Sequence, residues 1–196
     1  MANIIMETAR GYQPIAIEDE LLKSREIFMC DQVDGASCNE LAKQLMYLER
    51  QDPNAEITIY INSPGGSVQD GLAIYDLIML MKSPVRTVCM GTCASMGAIL
   101  FLAGKKREMM SHGKIMIHDP AFGGHREISG KKPHEIQTEL DDLNRCREAL
   151  AKIIAERTGH TVEEIEKVTV NDAYYDPDEA VEFGLATAVL TKKGDI

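Results

Sequence analysis

Short apolar runs alternate with stretches of helical periodicity along most of this chain, a pattern that predicts repeated βαβ units. Ile27–Cys30 reads as a short strand. Ser37-Cys38-Asn39-Glu40 has the form of a capping box, in which the Ser hydroxyl and the Glu carboxylate satisfy orphan amides at a helix start. Leu41, Leu45 and Leu48 then share one helical face, and Asp52-Pro53 ends the helix. Ile57–Ile61 is β-branched and nearly continuous, as a strand buried on both faces should be. Asn62-Ser63-Pro64-Gly65-Gly66 breaks it, and Ser67 with Asp70 caps a helix carrying Leu72, Tyr75, Ile78 and Met79.

Val85–Met90 reads as the next strand, ending at Gly91-Thr92-Cys93-Ala94-Ser95, and Met96–Ala103 is apolar and helical in character. Lys114–Ile117 is another strand, stopped by His118-Asp119-Pro120. Pro133 suits the first turn of a long helix whose stripe is Ile136, Leu140, Leu143, Leu150, Ile153 and Ile154, ending at Gly159. Thr161 and Glu164 cap a short helix. Asp176 opens another, with Pro177 just inside and Gly184 just past its end, and Leu185–Leu190 closes the chain as a strand. Only Met1–Glu20 shows no clear element. The expectation is a parallel-rich α/β domain with glycine-rich turns at the carboxyl ends of strands, where sites in such sheets gather.

Composition narrows the choice of function. The chain has 196 residues and is 44% hydrophobic, enough for one domain with a sizeable core. Its net charge of −10 repels nucleic-acid phosphates and anionic membranes, so neither is an expected partner. No apolar run approaches the roughly 18 to 20 residues that a bilayer span needs. Met1 to Arg10 lacks the layout of a secretory signal. Five cysteines without a Cys-x-x-Cys pair read as reduced thiols, and a cytoplasmic location is expected. No cofactor and no metal are expected, since Cys89 and Cys93 have no His partners nearby.

The chemistry-bearing candidates sit at the strand ends. Ser95 falls between a strand and an apolar helix, where neighbouring amides without an intrahelical partner can hold a developing oxyanion. The plainer reading is that Ser95 only caps the helix. Cys93 stands two residues before the Ser, so this is not the Gly-x-Ser-x-Gly elbow. Gly65-Gly66 lets backbone amides approach a ligand, or else makes a tight turn. No Gly-Lys-Ser/Thr follows, which argues against a phosphate loop. His118 lies at the end of a buried strand, whereas His112, His125, His134 and His160 lie in polar or turn contexts. A Ser needs such a base to attack a carbonyl, and the base needs an acid to orient it. Asp141 and Asp142 belong to the polar side of the long helix, and Asp176 and Asp178 read as helix-start residues. Asp119 should point to the face opposite its neighbour His118. Asp172, in the break Asn171–Tyr175, is the acid reached by elimination.

From about Arg10-Gly11 to Leu190 the residues resemble one known family. Its strongest marks are Tyr60-Ile61-Asn62-Ser63-Pro64-Gly65-Gly66, Ala94-Ser95-Met96-Gly97-Ala98, Met116-Ile117-His118 with Pro120, and Glu179-Ala180-Val181-Glu182-Phe183-Gly184-Leu185, with Leu21-Leu22-Lys23 and Ile27-Phe28 upstream. The chain resembles the proteolytic subunit family of the Clp protease, serine peptidases of the ClpP/crotonase fold. The resemblance implies an α/β fold of repeated βαβ units with a protruding handle region, the helix after Pro133 lying in that handle. It implies Ser95 as nucleophile, His118 as general base, Asp172 as triad acid, and the amides of Gly66 and Met96 as the oxyanion hole. It implies stacked heptameric rings fed with unfolded polypeptide by a hexameric Clp ATPase, ATP being used by that partner. Residues 1–20 would then be an axial loop and ATPase-docking segment, and residues 21–196 a single peptidase domain. A paralogous partner subunit is also admitted.

Four departures from the family stand out. Asp119 replaces a frequent Gln, Asn171 replaces a usual Arg that helps lock the rings, and Thr58 replaces the first of two ATPase-groove tyrosines. The stretch between Gly124 and Pro133 is a few residues longer. They keep open an alternative: a structural or regulatory ring subunit with low intrinsic activity beside an active paralogue. A crotonase-like acyl-CoA enzyme would not need the Ser/His/Asp set, and no basic patch for the CoA phosphates is evident.

Overall fold

A computed structural model describes residues 2–8, 11–123 and 129–194. Residues 124–128, His125 among them, lie outside the described residues, and so does Arg10. The amino-terminal segment, which the sequence pattern left without an element, forms an antiparallel hairpin of β1 (Asn3–Thr8) and β2 (Gly11–Ala16), followed by α1 (Ile17–Lys23). Ile4 and Ile5 on this hairpin are exposed, so it has no buried face to imprint alternation on the sequence.

The main sheet contains β3 (Glu26–Met29), β4 (Ile57–Ser63), β5 (Val85–Ala94), β6 (Lys106–Met110) and β9 (Ala188–Leu190), paired in the order β3-β4-β5-β6-β9 and parallel throughout. Two further strands extend it at one end. β7 (Lys114–Ile117) runs parallel to the distal part of β5, and β8 (Ala173–Tyr175) runs antiparallel to β7. The crossovers are α2 (Gly35–Gln51), α3 (Val68–Leu80) and α4 (Met96–Leu102), with α5 (Pro133–Thr158), α6 (Val162–Thr169) and α7 (Pro177–Glu182) after β7.

Several expectations are corrected. Helix α2 starts before Ser37: the Asp34 carboxylate accepts from the Ala36 and Ser37 amides, both at 2.9 Å, and the Ser37 hydroxyl accepts from the Asp34 amide at 3.1 Å. The box is Asp34/Ser37, because an Asp already stands at the better N-cap position. Strand β5 does not end at Gly91 but runs on to Ala94 across an irregular register, with Ile61↔Cys89 followed by Ser63↔Cys93. The Asn62 side chain stitches this bulge by accepting from the Thr92 amide at 2.9 Å. A Cβ at Gly91 would lie 2.6 Å from the same Asn62 oxygen, so a larger residue there would displace the side chain that stitches the bulge. The break expected at Asn171–Tyr175 contains strand β8. The last strand covers only Ala188–Leu190, rather than all of Leu185–Leu190.

Strand β6 was not foreseen. Its buried positions include Arg107, whose guanidinium donates to the Leu185, Gly184 and Arg157 carbonyls, so a charged residue stands where alternation would put an apolar one. The core centres on α4, every residue of which is buried against β5, α3 and α5. Helix α5 is split in character. Leu150, Ala151, Ile154 and Ala155 are buried, whereas Ile136 and Leu140 on the same stripe are exposed. With 26 residues it is about 39 Å long at 1.5 Å per residue, and no residue of its first half is buried. Among the described residues no helix is long and apolar enough to cross a membrane, and no group of three or more His, Cys, Asp and Glu could hold a metal ion.

Candidate active site

The carboxyl ends of β4, β5 and β7 converge. At the end of β4, buried Ser63 donates to the Asp31 carbonyl at 2.6 Å and accepts from the Gly65 amide at 3.2 Å, which shapes the turn. Gly65 has φ +89°, and a Cβ there would sit 2.6 Å from the Ala94 carbonyl and 2.7 Å from the Ser95 Cβ. Only glycine allows the β4 turn to lie this close to Ser95. Gly66 bridges Val33 in parallel fashion: the Val33 amide donates to the Gly65 carbonyl at 2.9 Å, and the Ser67 amide donates to the Val33 carbonyl at 2.7 Å. In such a bridge the amide of the central residue faces the other way, so the Gly66 N–H is directed away from Val33.

Ser95 stands at the β5-to-α4 corner with φ +53° and ψ −122°, a conformation that costs a non-glycine residue about 1–3 kcal/mol. Its amide donates to the Met116 carbonyl at 2.8 Å, which extends the β5–β7 pairing by one residue and holds the corner. Its side chain makes no capping bond to α4, so the helix-cap reading does not account for this Ser. The half-buried Ser95 lines a small cavity instead, and Met96 begins the helix with an amide that has no acceptor four residues back.

The β5–β7 register pairs Ala94 with Met116, so Ser95 and His118 follow at neighbouring strand ends. Both line one small cavity of about 20 Å³, with Val68, Met96, Ile99 and Pro120. The antiparallel β7–β8 register pairs Ile117 with Ala173, which brings Asp172 alongside His118. His118 Nδ1 lies 3.7 Å from Asp172 Oδ1, an ion-pair distance longer than the roughly 3.2 Å limit of an N–H···O hydrogen bond. The His118 side chain is 27% exposed and that of Asp172 57%.

Asp178 lies in the first turn of α7, and the remaining candidate acids are engaged elsewhere. Asp176 pairs with Lys114 at 3.1 Å, Asp141 accepts from Gln137, and Asp142 pairs with Arg145. Asp119 bonds to Thr169, 50 residues along the chain, through its amide and its carboxylate. Cys93, two residues before Ser95, is fully buried, and burial pushes its thiol well above the ordinary range. It packs as a neutral thiol against the Ile61 carbonyl. A larger groove of about 660 Å³ runs from Gly66 and Val68 past Pro120 and Phe122 to Glu139 and Asp142 on α5.

A strained Ser beside a strand-end His, with a carboxylate on the far side of that His, is the layout of an acyl-transfer enzyme on a parallel α/β sheet. Residues 9–193 match the family model for Clp protease, so the chain belongs to the Clp protease family. It is similar to the ATP-dependent Clp protease proteolytic subunit 2 of Synechococcus sp. (strain CC9605), with 40% identity over 192 residues, 97% of this chain and 95% of the relative. It is also similar to the ATP-dependent Clp protease proteolytic subunit 1 of Prochlorococcus marinus (strain MIT 9312), with 41% identity over 196 residues, 98% of each chain. The chain is a peptidase of the Clp type.

Proposed function

We propose that this peptidase works through Ser95, His118 and Asp172, with the Gly66 and Met96 amides as oxyanion hole. The observation that carries the assignment is the register of β7. Its parallel pairing with β5 sets His118 beside Ser95, and its antiparallel pairing with β8 sets Asp172 on the other side. His118 takes the Ser95 proton as the hydroxyl oxygen attacks the scissile carbonyl. The resulting oxyanion meets amide donors that are already oriented and lose no hydrogen bond in turning to it. The imidazolium then protonates the leaving amine, and water activated by the same His releases the acyl group from Ser95. Asp172 holds the imidazole in the right tautomer and stabilises its charge, a role that requires the 3.7 Å separation to close in the working state.

The substrate is an unfolded polypeptide lying extended along the groove between Gly66 and α5. The apolar residues exposed on the projecting half of α5 support pairing of rings across the handle, in a double heptamer. Residues 1–20 are assigned to docking a hexameric Clp ATPase, supported by an exposed hairpin that α1 joins to β3, and residues 21–196 to a single peptidase domain. The complex is placed in the cytoplasm. A low-activity subunit beside a paralogue is not favoured, since the relatives named above are proteolytic subunits. Ser95→Ala should lower kcat on a short fluorogenic peptide by on the order of 10⁶-fold and abolish fluorophosphonate labelling, with assembly unchanged. Retention of more than about 1% of the activity would place the nucleophile elsewhere.

A further inference from the structure

The acid of the proposed triad is weakly held by its own contacts. Among the described residues its carboxylate makes no hydrogen bond, only the 3.7 Å approach to His118 Nδ1, and its side chain is 57% exposed. Its position is therefore set by the backbone around it. After Asp172, the Ala173↔Ile117 pairing anchors the chain to β7. Before Asp172, Thr169 anchors it to the residue that follows His118. The Asp119 amide donates to the Thr169 carbonyl at 2.7 Å, and the buried Thr169 hydroxyl donates to Asp119 Oδ1 at 2.6 Å. The span Val170-Asn171-Asp172 is thus pinned at both ends to the strand end that carries His118.

We infer that Asp119, clamped to Thr169, is a positioning residue that sets the distance between His118 and Asp172. The inference rests on the triad reading above. The side-chain arm of the clamp is the stronger one: a hydroxyl on a carboxylate at this length is a charge-assisted bond. The same hydroxyl lies 3.0 Å from the Ile165 carbonyl inside α6, an acceptor that keeps it satisfied if Asp119 is removed. Loss of the carboxylate therefore frees the α6-to-β8 corner without leaving a buried orphan hydroxyl, and the cost falls on alignment more than on folding. Asn at 119 keeps a carbonyl oxygen to accept the Thr169 proton, and Ser at 169 keeps the hydroxyl.

The test uses the full-length assembled protein and a short fluorogenic peptide. Asp119→Ala and Thr169→Val should each lower kcat by about 10- to 100-fold with KM changed by less than about twofold, the size expected of a misplaced catalytic group. Asp119→Asn and Thr169→Ser should keep most of the activity. In an Asp172→Asn background, Asp119→Ala should cost nothing further, because there is no longer an acid to position. The clamp is refuted if Asp119→Ala and Thr169→Val are both fully active, or if Asp119→Ala costs the same factor with and without Asp172. Thr169→Val, nearly isosteric, decides the matter if Asp119→Ala fails to assemble. An Asp172→Asn chain as active as the native one would remove the assignment of Asp172 itself and the clamp with it. An impaired Asp172→Asn beside fully active Asp119→Ala and Thr169→Val would remove the clamp alone.

Discussion

The strand-end cluster and the projecting half of α5 handle their side chains in opposite ways. At the cluster, backbone ladders and glycine contacts hold Ser95 and His118 over a buried core, and Met96 beneath them is 1% exposed. On the handle, Ile136 and Leu140 continue a stripe whose far end is buried, yet they are 37% and 43% exposed. The contacts that hold the first region come from within one chain. The second carries apolar surface that the chain itself does not cover, which suits an assembly contact. Substitutions in the cluster should therefore strike chemistry or folding, and substitutions on the handle should strike association.

The largest effect that tests this contrast is on the acid. Asp172→Asn should lower kcat by on the order of 10³- to 10⁴-fold while the thermal midpoint stays put, because the group is exposed and its loss leaves no buried charge. Asp176→Asn, measured alongside, should be nearly silent, since the surface pair with Lys114 is worth little and Asn caps α7 about as well as Asp. Should Asp176 prove the critical one, the role assigned to the β7–β8 register would fall.

Next comes the core beneath the cluster. Phe101 on α4 is fully buried, and Phe101→Ala should cost about 3–5 kcal/mol in denaturant unfolding. Leu140→Gln should change the stability of a single chain by no more than about 0.5 kcal/mol. It should instead shift the assembly toward smaller particles in light scattering, with peptidase activity falling in step. A Leu140→Gln protein that keeps both its particle size and its activity would show the handle stripe to be ordinary surface.

A smaller effect concerns Asn171. It has no charge and a short reach, so it cannot make the bidentate contact that an Arg would make at that position. Double rings of this chain alone should then dissociate on dilution, and added partner ATPase should restore them by binding the active form preferentially. Scattering and peptidase activity read on the same dilution series check this. Rings that stay intact and fully active at every dilution would contradict it.

Local pattern was enough where burial is one-sided or continuous. The β-branched run of β4 and the stripe of α5 are legible because the burying partner imprints a period on neighbouring residues, and the Ser67 and Thr161 caps and the Gly159 stop because their hydrogen bonds and dihedrals are local. Ser95 and His118 were legible for a related reason: each ends a recognisable apolar strand. Asp172 was reached only by elimination and resemblance, because β8 is three residues long and none of its residues is buried. Arg107 concealed β6, since its charge is satisfied by carbonyls supplied from residues far along the chain.

What the sequence by itself determined is which residues can do chemistry and that they sit at strand ends. Tertiary structure decided their alignment. The bulge that carries β5 past Gly91 to Ser95 depends on the side chain of Asn62 from the neighbouring strand. The strain at Ser95 is held by a carbonyl of β7 and by the close approach of Gly65. The His118–Asp172 approach depends on pairing between β7 and a strand more than fifty residues later. Periodicity records whether a face is buried, but it carries no label for the distant group that does the burying or the bonding, and that is why the approach of Ser95, His118 and Asp172 had to come from the fold.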